Sequence, residues 1–176
     1  MKTAIVAALL AFAAGGARAE VAERGETGFR IRNTIEIATT PAKAYGALAE
    51  IGQWWDGQHT YTGKASNMTL RLEPGACFCE TLPGGGGVRH GVVALAWPDQ
   101  GTLRLETALG PLQDEGVAGA LTFQIKPKGQ GVEVVQTYHV GGLRPAAAKS
   151  YADAVDQVIR TQLTRYRKYV VTGKPD

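Results

Sequence analysis

The segment "PAAAKSYADAVDQVIRTQLTRYRKYV" constrains the fold more than any other. From about Pro145 to Val170, the residues Tyr151, Val155, Val158, Ile159, Leu163, Tyr166 and Val170 recur at three- and four-residue steps. Lys149, Asp153, Asp156, Arg160, Arg165 and Lys168 take much of the remainder. That spacing predicts a long amphipathic helix with one buried stripe. Almost everything before it reads as strand. "GFRIRNTIEIA" alternates apolar and polar residues, and "NMTLRLEP", "ACFCETL", "VRHGVVALAW", "GTLRLETAL", "GVAGALTFQIKPK" and "GVEVVQTYHVGG" follow. Glycine- and proline-rich turns too short for crossover helices separate them, which predicts antiparallel pairing. Thr39-Thr40-Pro41 opens a helical segment, "PAKAYGALAEIGQWW", which Gly52 is expected to break. About seven strands therefore need a cover for one face, and the C-terminal helix is the only element large enough. The fold class is α+β: a curved antiparallel sheet wrapped around a long C-terminal helix, leaving room for an apolar pocket between them.

The N-terminus predicts a secretory signal peptide over residues 1–19. Lys2 is followed by a short apolar run, and Ala17-Arg18-Ala19 supplies an A-x-A cleavage pattern. The mature chain is then expected to start at Glu20 and form one domain over 20–176, periplasmic or secreted. Without Lys2 and Arg18, the 19 Lys and Arg fall to 17 against 16 Asp and Glu. A near-neutral mature chain argues against nucleic acid as a partner. No segment after the leader is apolar enough to span a membrane. The sequence sets no oligomeric state.

Three stretches carry candidate chemistry. In "GACFCE", Cys77 and Cys79 are the only cysteines. On a regular strand they share a face, with Cα atoms about 6.5–7 Å apart, at or beyond the disulfide limit. A disulfide here requires a bulge or turn. The favoured expectation is two small pocket-lining or core side chains. A metal site built from both cysteines with His59 or His90 lacks a further ligand. One residue of hairpin register decides whether His90 shares a face with the cysteines or with Phe78 and Glu80. In "QWWDGQHTYTG", Trp54, Trp55, Asp56, His59 and Tyr61 crowd a helix-to-strand junction and suit a pocket mouth, a hydrophobic plug, or both. "LGPLQ" reads as a loop carrying Leu109 and Gln113.

The order of elements resembles the START/polyketide-cyclase-like (SRPBCC) superfamily, which has the helix-grip fold. The resemblance rests on "IATTPAKAYGALAEIGQWWD", "LEPGACFCETLPGGGGVRHGVV", "LETALGPLQDEGVAGALTFQI" and "TYHVGG", and spans roughly Gly28 to Val170. The central hairpins look like those of a secreted bacterial branch. The resemblance implies a binding protein for a small hydrophobic molecule, lipid or polyketide-like, with no cofactor. The candidate ligand-binding residues are Trp54, Trp55, His59, Tyr61, Cys77, Cys79, His90, Trp97, Leu109, Gln113 and Tyr138. Two alternatives stand beside it. One is a cyclase or hydrolase using His59, Asp56 and Tyr61, with Glu80, His90 or His139 as further candidates, as an acid/base set, although no G-x-S-x-G or H-E-x-x-H motif is present. The other is a metal-binding or co-chaperone module.

Overall fold

The computed structural model describes residues 18–176. Of the expected signal segment, residues 1–17 lie outside the described residues. Arg18 and Ala19 begin the first strand. The elements are β1 (Arg18–Gly25), β2 (Gly28–Ile37), α1 (Pro41–Ala47), α2 (Ile51–Trp54), β3 (Met68–Thr69), β4 (Cys77–Thr81), β5 (Gly87–Trp97), β6 (Thr102–Thr107), β7 (Ala118–Lys128), β8 (Gly131–Gly141) and α3 (Pro145–Thr172). All eight strands form one antiparallel sheet in the order β1-β2-β8-β7-β6-β5-β4-β3. The expected α+β helix-grip architecture is therefore present, with one strand more than the seven counted from sequence. The extra strand is β1, a charged edge whose alternation is broken by a register shift between Val21 and Glu23.

Local chemistry sets the boundaries. Thr40 caps α1, its hydroxyl accepting from the Lys43 amide at 3.3 Å, and Pro41 occupies the first turn. The helical segment does not break at Gly52. It tightens at Leu48–Glu50 into a 3₁₀ turn and resumes as α2. Gly52 instead permits a close approach, since a Cβ there would lie 3.0 Å from the Met68 carbonyl oxygen. Only Met68 and Thr69 of "NMTLRLEP" form a strand, although Leu70 is also buried. At the far end, Gly173 adopts a left-handed conformation and its amide bonds back to the Tyr169 carbonyl, which ends α3.

The core lies between the inner sheet face and α3. Ile31, Leu105, Leu121, Phe123 and Val134 face Ala152, Ile159, Leu163, Tyr166 and Val170. Burying each Leu or Ile side chain contributes about 1.5–3 kcal/mol. Asp156, expected on the polar side, is buried, and among the described residues its Oδ1 has no hydrogen-bond partner. No helix among the described residues is long and apolar enough to cross a membrane.

Candidate functional site

The site is built on an irregularity in the β4–β5 hairpin. Phe78 pairs with Gly91 and Cys79 with Arg89, so His90 is an extra residue in β5. This β-bulge turns both His90 and Gly91 to the inner face, where strict alternation admits only one of them. Phe78 and Glu80 share that face, because they alternate with the cysteines along β4. The bulky Phe78 takes the interior position and carries Glu80 inward with it. Glu80 is 1 % exposed and His90 is 4 % exposed.

Glu80 Oε2 lies 3.0 Å from His90 Nε2. The same carboxylate accepts the backbone amides of Tyr61 at 3.0 Å and Thr62 at 2.7 Å. Burial alone would raise its pKa, but hydrogen bonds from Thr62, Tyr61 and His90 outweigh that effect and hold it below the ordinary range. Burial also lowers the His90 pKa, although Glu80 opposes this. The pair is thus an ionised carboxylate and a neutral imidazole, and the carboxylate orients the ring with Nε2–H as donor.

Aromatic rings lead from α3 to the surface through this pair. Tyr166 packs edge-on against Trp54 at 5.3 Å, Trp54 lies 5.8 Å from Trp55, and Trp55 lies 5.7 Å from Phe78. His90 follows at 5.1 Å from Phe78, and Tyr61 lies 5.9 Å from His90. Side chains of α3 hold the tryptophan junction in place. Gln162 Oε1 accepts the Asp56 amide at 2.7 Å, and Arg165 Nε donates to the Trp54 carbonyl at 3.0 Å.

A cavity of about 550 Å³ opens between this wall, one side of α3 and the Leu109–Asp114 loop. Tyr151, Val155, Val158 and Ile159 line it from α3, and Leu109, Pro111 and Leu112 from the loop. The loop is fixed from below: Tyr138 donates its hydroxyl to the Thr107 carbonyl at 3.1 Å and accepts the Leu109 amide at 3.2 Å. Burial raises the Tyr138 pKa, so this hydroxyl stays protonated. A larger, more open groove of about 1110 Å³ runs along the outer sheet face past Arg30, Glu106 and His139, and His90 and Gln113 also reach it.

Of the residues singled out from sequence, Trp55, His59, Tyr61, His90 and Leu109 line the cavity together. Trp54 does not: it is a core plug whose Nε1 donates to the Ala47 carbonyl at 2.9 Å. Tyr138 is likewise fully buried beneath the loop. Trp97 is 52 % exposed at the end of β5, and Gln113 donates to the Arg89 carbonyl at 3.3 Å, so neither lines the cavity.

Cys77 and Cys79 also lie outside it, half-buried on the outer face. They are joined by a disulfide, contrary to the expectation of two free side chains. Their Cα atoms are 5.3 Å apart, closer than a regular strand allows, and the β4–β5 register shifts between Phe78 and Cys79. The cysteines therefore form no metal set with His59 or His90. Among the described residues, no group of three or more His, Cys, Asp or Glu is placed to hold a metal. Asp56 caps a turn through the Gln58 amide at 2.9 Å, and His59 is exposed, so these two do not form the expected acid/base pair. Glu80 stands outside the candidate ligand-binding residues but is a candidate of the acid/base alternative, and the structure pairs it with His90. Its signal was present in the sequence: a charged residue two positions from Phe78 on a strand.

The sheet, covering helix and cavity define a helix-grip fold. The solved structures that this chain resembles share it. The solution structure of the Aha1 dimer from Colwellia psychrerythraea matches with a TM-score of 0.60 at 18% identity, covering 82% of this chain and 98% of that one. A structural-genomics protein from Rhodobacter sphaeroides gives 0.59 at 20% identity, covering 85% and 95%. CalU16 from Micromonospora echinospora gives 0.59 at 12% identity, covering 91% and 86%. At these identities the likeness is one of fold. No protein-family model matches the chain, and no curated protein matches it.

Proposed function

We propose that this protein binds a small hydrophobic molecule in the cavity between α3 and the Trp55–Tyr61 and Leu109–Asp114 segments. The observation that carries this is the cavity itself: about 550 Å³, walled mainly by apolar side chains, with the polar His90 set in one wall. Trp55, His59, Tyr61, His90 and Leu109 are its ligand-contacting residues, joined by Leu112, Val155 and Val158. The resemblance of the sequence to the SRPBCC superfamily, in its secreted bacterial branch, supports the same reading. So do the helix-grip neighbours. A periplasmic or secreted location is part of the proposal. The leader-like first 19 residues and the Cys77–Cys79 disulfide, a bond favoured in oxidising compartments, support it.

Native mass spectrometry of protein purified from a periplasmic fraction tests the proposal. An apolar adduct that organic extraction releases is the expected result. Purely protein mass, together with no saturable uptake of apolar probes, contradicts it.

The buried pair favours a second reading, in which His90 rather than His59 acts as a general base on the bound molecule, oriented by Glu80 at 3.0 Å. Turnover of a bound ligand that is lost in His90→Gln, with binding retained, distinguishes it from binding alone.

A further inference from the structure

The pair also says what kind of molecule the cavity selects, given that the cavity is a ligand site. Both oxygens of Glu80 are acceptors, committed to the Tyr61 and Thr62 amides, so the proton between Glu80 and His90 sits on Nε2. Nδ1 is then a bare lone pair. Among the described residues it has no hydrogen-bond partner. His90 is one of the residues that line the cavity, so Nδ1 is the ring nitrogen left for a bound molecule. The ring lies between Phe78 and Tyr61, at 5.1 and 5.9 Å, in apolar surroundings that strengthen a hydrogen bond to it.

Charge narrows the choice further. The ionisable groups around the cavity are His59, Tyr61, His90, Asp114 and Tyr151, with Glu80 directly behind His90. Among the described residues, no Lys or Arg lines it. An anionic head group would find no Lys or Arg and would meet the Asp114 carboxylate, with Glu80 behind His90.

We propose that the cavity selects a neutral, hydroxyl-bearing apolar molecule of the phenol or enol class, whose O–H donates to His90 Nδ1, and discriminates against carboxylates such as fatty acids.

Three probes of one shape test this by calorimetric titration at pH 8: 2-naphthol, 2-methoxynaphthalene and 2-naphthoate. The wild-type protein is expected to bind naphthol about tenfold more tightly than its methyl ether, the worth of one neutral hydrogen bond. Naphthoate should bind most weakly. His90→Phe should bring naphthol to the affinity of the ether, leaving the ether within about twofold. Val158→Trp should abolish binding of all three if they occupy this cavity rather than the outer groove. Equal affinities for naphthol and ether in the wild type, or naphthoate as the tightest ligand, overturn the inference and leave the cavity's binding role standing. Binding of none of the three overturns both.

Should His90→Phe fail to fold, the imidazole nitrogen spectrum of the wild type decides. The Nδ1 resonance should move with naphthol and stay put with the ether. Movement with both, or with neither, overturns the inference.

Discussion

Gly91 follows the bulged His90 at a point where a methyl group has nowhere to go. A Cβ there would lie 2.6 Å from the Glu106 carbonyl oxygen and 2.8 Å from the Thr107 Cβ. Gly91→Ala is therefore expected to cost about 1–3 kcal/mol, read as a lower urea midpoint, because strand backbone must shift. The His90–Glu80 pair makes a second prediction, in pH. His90 has a folded pKa below its unfolded value near 6.5, so the unfolded chain binds the extra proton first. Its contribution is complete above pH 6.5 and falls as pH drops through the folded pKa. Glu80 is also lowered, from 4.5, so its contribution is lost at still lower pH. Urea midpoints should decline from pH 7.5 to pH 5, and His90→Phe should flatten that decline. The sequence leaves two registers open for His90, one with the cysteines and one with Phe78 and Glu80, and the structure adopts the second. The alternation of Phe78 and Glu80 was present, but a bulge depends on how two strands meet, and one residue of register exchanges the faces.

At the scale of elements, α3 was the clearest reading, because seven apolar residues at helical spacing leave no other partner for the sheet. Asp156 is buried although its residue type places it on the solvent side, since a periodic pattern does not see which turn of the helix lies over the sheet. Leu163 sits in the middle of the buried stripe, so Leu163→Ala should cost about 2–5 kcal/mol in chemical denaturation. The disulfide within β4 closes a loop of only three residues. Its removal in the Cys77→Ser/Cys79→Ser double variant should cost about 1–2 kcal/mol on loop-entropy grounds, less than a long-range bridge contributes. A loss above about 4 kcal/mol would show that the bridge also holds the His90 bulge opposite it. The charged strand β1 carries little sequence signal because its edge position demands little apolar periodicity.

For the whole molecule, the sheet, the covering helix and the two loops form a container, and occupancy should register as stability. A ligand at 100 times its dissociation constant is expected to raise the unfolding free energy by about 2.7 kcal/mol, visible as an upward shift in melting temperature. The container's existence was legible from element order alone. Its contents were not, because which side chains wall it depends on the tilt of α3 and on the Leu109–Asp114 loop, which Tyr138 pins from inside the core. The most direct test is a fluorescence titration with the neutral apolar fluorophore N-phenyl-1-naphthylamine against wild-type protein and Val158→Trp, a substitution that fills the cavity from α3 while sparing the core. One saturable site in the wild type, absent in a folded Val158→Trp, is the predicted result. Unchanged binding in the variant, or no saturable binding in the wild type, would contradict the account.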